Sequence, residues 1–131
     1  FQLEREWRTG ASRMTAVLRQ QLERGLKISA FDYQSALVRS KPVYTWFAKL
    51  LQDYDAIATP AALGPAPRGL ESTGDPSFCT LWTLCGMPAI SLPLLATPDR
   101  LPLGVQLVGS RRADGPLLRT ARWLERTLAS A

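Results

Sequence analysis

The sequence predicts an α/β fold. Segments that repeat apolar residues at helical spacing alternate with short β-rich runs bounded by proline or glycine. Their order along the chain is α-α-β-loop-α-β-β-α. With 131 residues, 46% of them hydrophobic and 21% charged, the chain has the composition of a single globular unit. We therefore expect residues 1–131 to form one unit.

The first part of the chain predicts two helices. Residues 12–24 place apolar side chains at helical spacing, and Gly25 stands where a left-handed C-terminal cap is expected. Ser29 offers an N-cap hydroxyl to the second helix. Pro42 lies inside this helix, and proline removes one backbone hydrogen bond. We therefore expect a kink or break near residues 38–41.

A short strand and a long loop follow. Asp55–Thr59 contains β-branched residues and is ended by Pro60, which is typical of a buried strand. The next fifteen residues are rich in proline and glycine and predict a loop, and a loop of that length is commonly a site element or a mobile segment. Asp75 followed by Pro76 predicts the start of a helix that ends at Gly86.

The last part of the chain predicts two strands and a helix. The β-rich runs are Pro88–Leu95 and Pro102–Gly109, and the six residues between them fit a hairpin-type connection. We expect these strands to be antiparallel neighbours. Residues 114–116, Asp-Gly-Pro, open a final amphipathic helix.

Charge and composition exclude several classes of function. The net charge is +5, but basic and acidic residues are interleaved. The densest basic stretch, residues 111–126, has no aromatic ladder apart from Trp123, so it predicts a solvated helix face and no direct contact with nucleic acid. The sequence contains no histidine, and we expect no metal and no cofactor. The lack of a signal peptide, a membrane-length apolar run and a disulfide framework predicts a cytoplasmic protein without a membrane partner.

No residue of the chain has the surroundings of a catalytic nucleophile. There is no G-x-S-x-G turn, and none of the three lysines lies in a Gly/Ser-rich segment. Cys79 and Cys85 lie six residues apart in a predicted helix and point to different sides, so we expect no disulfide between them. Cys79 lies near a helix N-terminus, but without a nearby base we expect a buried structural thiol.

Four segments together resemble the C-terminal region of the amidase-signature family. They are Ser29–Ala36, Tyr54–Pro60, Trp82–Pro93 and Leu101–Gly109, and the resemblance covers roughly residues 20–128. It implies that the strands belong to a larger mixed β-sheet flanked by helices. It also implies amide hydrolysis by a nucleophilic serine, a second serine and a lysine base from a Gly/Ser-rich segment of the N-terminal half, which is absent here. We expect no catalytic residue in this chain and no activity of the chain alone.

The resemblance also implies that this region forms one wall of the substrate pocket. Thr59 and Pro60 match the strand end and loop that approach the pocket. Phe78, Trp82 and Thr83 match the helix that precedes the G-x-P strand. The alternative for Phe78 and Trp82 is packing in the core, and for Thr59 it is a strand-end cap.

Three functions remain open from the sequence. The first is the C-terminal part of an amidase that takes a small amide substrate, and the second is the glutamine-hydrolysing subunit of a tRNA amidotransferase. Relatives of the second kind tend to have an acidic residue at the position of Pro76, and because Asp75 is one residue away, the pattern favours a general amidase. The third is a truncated, non-catalytic interaction module.

A part of a larger sheet leaves strand edges and apolar faces without partners. The side chains expected to be uncovered are Ile90, Leu92, Val105, Leu107 and the stripe at residues 47–51. Such surfaces are normally covered by another chain. We therefore expect a homo-oligomer or association with the N-terminal part of the enzyme.

Overall fold

A computed structural model describes residues 3–130, which combine helices with a small β-sheet, as the sequence predicts. The chain divides into two compact units, Phe1–Arg39 and Ser40–Ala131. The elements are α1 (Glu4–Gly10), a short 3₁₀ helix (Ala11–Arg13), α2 (Ala16–Leu26), α3 (Ala30–Leu50), β1 (Ile57–Pro60), α4 (Ser77–Cys85), β2 (Ala89–Ala96), β3 (Pro102–Val108) and α5 (Asp114–Ala129).

The first unit is helical and begins with α1, which the sequence pattern did not predict. Thr15 caps α2, since its hydroxyl oxygen accepts a hydrogen bond from the backbone N–H of Leu18 at 3.3 Å. The predicted cap at Gly25 is wrong, because α2 continues to Leu26. The helix closes instead through the N–H of Lys27, which keeps right-handed dihedral angles and donates to carbonyls of the preceding turn.

Ser29 is the predicted N-cap of α3. Its hydroxyl oxygen accepts from the N–H of Asp32 at 3.0 Å and donates to the Asp32 carboxylate at 2.6 Å. The break expected near residues 38–41 is wrong, since α3 runs for 21 residues with Pro42 inside it. One missing N–H is tolerated here because the turns on both sides of the exposed proline continue the helix.

The sheet has the strand order β1-β3-β2, and both neighbouring pairs are antiparallel. The predicted antiparallel pairing of β2 with β3 is confirmed. Two residues of β2 face one residue of β3 between the pairs Leu92–Val105 and Leu95–Leu103, which forms a β-bulge. Pro93 lies in this bulge, where a residue without an N–H is tolerated. The larger mixed sheet stays a prediction, because these three strands pair only antiparallel.

Both faces of the sheet are covered within the second unit. On one face the C-terminal half of α3 and α4 enclose a first cluster, whose buried members are Trp82, Cys85, Met87 and Val108. On the other face α5 encloses a second cluster, whose buried members are Leu92, Leu107, Leu117 and Ala121. The expectation that Leu92 and Leu107 lack partners is wrong, because the amphipathic face of α5 covers them.

The C-terminal end of α4 is held by two features. Gly86 adopts the left-handed conformation, with φ of 61°, and ends the helix as predicted. Arg111 stacks its guanidinium 3.7 Å from the ring centre of Tyr44 and donates from Nε to the carbonyl of Cys85. Arg111 therefore joins α3 to α4, which corrects the prediction that it belongs to a solvated helix face. Among residues 3–130, no helix is long and apolar enough to cross a membrane.

Candidate functional site

A buried glutamine connects β1, β3 and α4 in the second unit. Gln106 lies on β3 and is only 5% exposed. Its side-chain amide nitrogen, Nε2, donates to the hydroxyl oxygen of Thr59 at 3.2 Å and to the backbone carbonyl of Phe78 at 3.0 Å. Because a buried polar group is costly unless its hydrogen bonds are made, these two contacts make Gln106 compatible with its apolar strand.

Two further groups complete this polar cluster. The Cys79 sulfur lies 3.9 Å from Oε1 of Gln106 and 3.8 Å from the carbonyl oxygen of Ala61. The Thr59 hydroxyl donates to the carbonyl of Pro60 at 3.2 Å. We refer to Thr59, Ala61, Phe78, Cys79 and Gln106 as the Gln106 cluster.

The two cysteines differ in their surroundings. Both are free, so the predicted absence of a disulfide between them is confirmed. Cys85 is buried in the core. Cys79 is exposed, which makes the prediction of a buried thiol wrong, because its position on α4 faces the end of the sheet and not the core.

The five predicted wall residues occupy different environments. Thr59 and Phe78 are half-buried and meet at Gln106, whereas Pro60 is exposed beside them. Trp82 is 7% exposed in the core, where its ring centre lies 5.0 Å from that of Phe47, and Thr83 is exposed. For Trp82 the structure thus favours the alternative of core packing. The structure brings together only the first three of the five.

Sequence reasoning did not single out Gln106. The residue lies in Leu-Gly-Val-Gln-Leu-Val, a run that is otherwise typical of a buried strand. A polar side chain at such a position must find partners, so an amide in an apolar strand was the available signal.

An open groove of about 440 Å³ borders the cluster. One side is formed by the beginning of the long loop, at residues 62–64, and the other by apolar strand residues. Its lining residues are Ala58, Thr59, Pro60, Ala62, Leu63, Gly64, Leu95, Leu103, Gly104 and Val105. Because the groove is mostly apolar, it fits an apolar group better than a charged one.

Close packing holds the first residue of the loop against β3. The N–H of Ala61 donates to the carbonyl of Gly104 at 2.9 Å. A β-carbon at position 104 would lie 2.8 Å from the Ala61 β-carbon and closer still to the Ser91 hydroxyl. The approach of the loop to the sheet therefore requires glycine at this position.

The far end of the loop is fixed by Asp75. Its carboxylate accepts hydrogen bonds from the N–H of Ser77, at 2.7 Å, and from the Ser77 hydroxyl. The hydroxyl bond, followed by the backbone bond, lowers the pKa of Asp75 below its ordinary value. The predicted capping role is confirmed, although Pro76 precedes the first helical residue.

The Gln106 cluster lacks the parts of a catalytic centre. Cys79 is its one nucleophilic sulfur, and the sequence has no histidine to act as its base. Among residues 3–130, no group of three or more Cys, Asp or Glu side chains could hold a metal ion. The arrangement can shape a binding surface and orient a ligand.

Comparison with known proteins assigns this fold to a class of hydrolases. A family model described as Amidase matches residues 2–118. A crystal structure of an amidase superposes with a TM-score of 0.74 and 26% identity, covering 95% of this chain and 31% of that one. These are hydrolases that act on carbon–nitrogen bonds. The chain belongs to the Amidase family.

Several similar curated proteins share one name, which describes them as the A-type component of glutamyl-tRNA(Gln) amidotransferase. The protein of Alkaliphilus metalliredigens is 35% identical over 104 residues, which cover 73% of this chain and 21% of the relative. That of Chlorobium chlorochromatii is 35% identical over 111 residues, covering 76% and 23%. The mitochondrial protein of Aedes aegypti is 28% identical over 102 residues, covering 71% and 21%. The chain thus spans about a fifth of the length of the curated relatives it matches.

Proposed function

We propose that the chain forms one wall of the amide-binding site of an amidase that hydrolyses carbon–nitrogen bonds. The observation that carries this proposal is the Gln106 cluster, which joins Thr59 at the end of β1 to Phe78 on α4. Family membership supports the reaction class. In this proposal the Ser-Ser-Lys triad lies outside residues 1–131, since no residue of the chain matches it.

The chemistry divides between the triad and this wall. A neutral lysine accepts a proton through the bridging serine, the nucleophilic serine attacks the amide carbonyl, and backbone N–H groups stabilise the oxyanion. The amine leaves with a proton, and water releases the acid. The wall contributes by restricting the orientation of the bound amide.

Thr59 serves this wall by its position and not as a hydrogen-bond donor to substrate. Its single hydroxyl hydrogen is directed to the carbonyl of Pro60, and its oxygen accepts from Gln106. Its methyl group remains available for contact with the substrate. The wall therefore selects by shape and apolar contact.

The proposal is tested by assaying ammonia release from small carboxamides. We expect turnover by the complete gene product and none by residues 1–131 alone, because no residue here matches the nucleophile or base. Turnover by residues 1–131 that is lost on replacing one of their serines would contradict the proposed division of labour.

The names of the curated relatives favour a second candidate, the glutamine-hydrolysing subunit of a tRNA amidotransferase. Steady-state kinetics of the complete gene product with glutamine and with apolar carboxamides separates the two. A kcat/KM that is higher for glutamine, and rises further with partner subunits, favours the second candidate.

The interaction module remains the third candidate. A complete gene product without amidase activity, together with a monomeric and cooperatively folding 131-residue chain, would favour it. A cytoplasmic location also stays part of the proposal, and fractionation of cells that express the complete gene tests it.

A further inference from the structure

Gln106 connects both ends of the loop between β1 and α4. This loop, residues 61–76, is preceded by β1 with Thr59 and followed by α4 with Phe78. Both residues accept hydrogen bonds from the same amide nitrogen. A loop of this length whose ends lie close together is an Ω-loop, and such loops often carry function.

The orientation of the Gln106 amide is fixed by its partners. The carbonyl of Phe78 can only accept a hydrogen bond, so the nitrogen of the amide must face it. Both hydrogens of this nitrogen are then used, one by Phe78 and one by Thr59. The remaining Oε1 faces the thiol of Cys79. An apolar side chain at position 106 would therefore release three groups at once.

The loop has little internal structure to hold it in place. No residue from 61 to 76 is buried, and Leu63 and Leu70 are exposed by 67% and 101%. Ser72 makes a short-range bond, in which its hydroxyl oxygen accepts from the N–H of Gly74 at 3.1 Å. A segment with few buried contacts depends on its attachment points for its position.

We infer that Gln106 is a positioning residue that sets the distance between residues 62–64 of the loop and the sheet, and thereby the width of the groove that takes the apolar substituent of an amide substrate. Residues 62–64 form one side of this groove and Leu95, Leu103 and Val105 contribute to the other. The choice of ligand rests on the proposed function. The positioning of the loop does not.

Tryptic cleavage after Arg68 tests the positioning without an activity assay. Arg68 is exposed in the loop and is followed by Gly69, so release of the loop accelerates cleavage there. In the complete gene product, we expect Gln106→Leu to raise this rate about tenfold. The matched control Gln20→Leu, at an exposed glutamine of α2, leaves the rate unchanged. Equal rates in Gln106→Leu and the unchanged protein would overturn the inference.

Alkylation of Cys85 separates loop release from unfolding, because this thiol is 1% exposed. We expect it to stay unreactive in Gln106→Leu. If it reacts, the decision passes to Thr59→Val, which removes one acceptor of the cluster and keeps the side-chain shape. Its cleavage rate should rise about threefold with Cys85 still protected. No rise in Thr59→Val then counts against the inference.

Kinetics tests the groove. For amides with apolar substituents, we expect Gln106→Leu to raise KM about tenfold and to change kcat less than about threefold. A loss of folded enzyme would instead lower kcat and leave KM unchanged. A KM unchanged in Gln106→Leu would contradict the role in substrate binding. An inactive unchanged gene product would contradict the proposed function, while the cleavage rates would still decide the positioning.

Discussion

Gly104 illustrates how a single residue determines where the loop meets the sheet. We expect Gly104→Ala to destabilise the fold by about 1–3 kcal/mol, because the added methyl group overlaps Ala61 and Ser91. Denaturant unfolding of the complete gene product measures the change. Gly25→Ala is the matched control, since a β-carbon there meets nothing within 4 Å and a helical alanine should stabilise by about 0.5–1 kcal/mol. Equal stability of Gly104→Ala and the unchanged protein would contradict the close packing.

Asp75 gives a residue-scale prediction for pH. Its pKa is lowered in the folded state, so its contribution to stability is present above the unfolded-state pKa and is lost as pH falls through the lower, folded-state value. We expect a carboxyl NMR titration to show a midpoint below about 3.9, the ordinary value of aspartate. Ser77→Ala should move the midpoint back towards it, since the hydroxyl bond is the larger cause. A midpoint that does not move would assign no role to Ser77.

At the scale of elements, Arg111 holds α4 against α3. We expect Arg111→Ala to lower the free energy of unfolding by about 1–2 kcal/mol, through loss of the contact with Tyr44 and of the hydrogen bond to the Cys85 carbonyl. Arg111→Lys should lose about half as much, because the charge stays and the planar stacking is lost. Arg122→Ala, on the exposed surface of α5, should change stability by less than about 0.5 kcal/mol.

The element pattern shows what local sequence can and cannot predict. The cap at Ser29, the helix end at Gly86 and the pairing of β2 with β3 follow from local rules and are confirmed. Gly25 and Pro42 followed the same rules and gave wrong predictions, because neighbouring turns carried each helix past them. Local propensity is a weak constraint when it opposes an established helix.

The candidate site was less predictable than the elements. Thr59 and Phe78 lie far apart along the chain, and they meet only because β3 places Gln106 between them. The position of β3 between β1 and β2 cannot be inferred from spacing. The same long-range packing places Trp82 in the core and leaves Thr83 exposed, although both belong to one helix.

At the scale of the whole molecule, the first unit leads us to expect association. None of its described residues is buried, and Val17 and Phe31 are exposed by 67% and 79%. Apolar surface of this kind is normally covered by a partner. We expect residues 1–131 to associate in light scattering and Phe31→Lys to reduce this association, with Gln34→Lys as the control. A monodisperse, cooperatively melting monomer would contradict the expectation.

The strand order also imposes a timetable on synthesis. β3 is the central strand but the last of the three to leave the ribosome. At roughly 5–20 residues per second, β1 waits for some seconds before its only partner among the three strands exists. β2 and β3 are close in the chain and can form a hairpin early, whereas Ile57 reaches Val108 only by closing a long segment. During that interval a nascent chain carries β1 unpaired, which makes this stage of translation the one most dependent on chaperones.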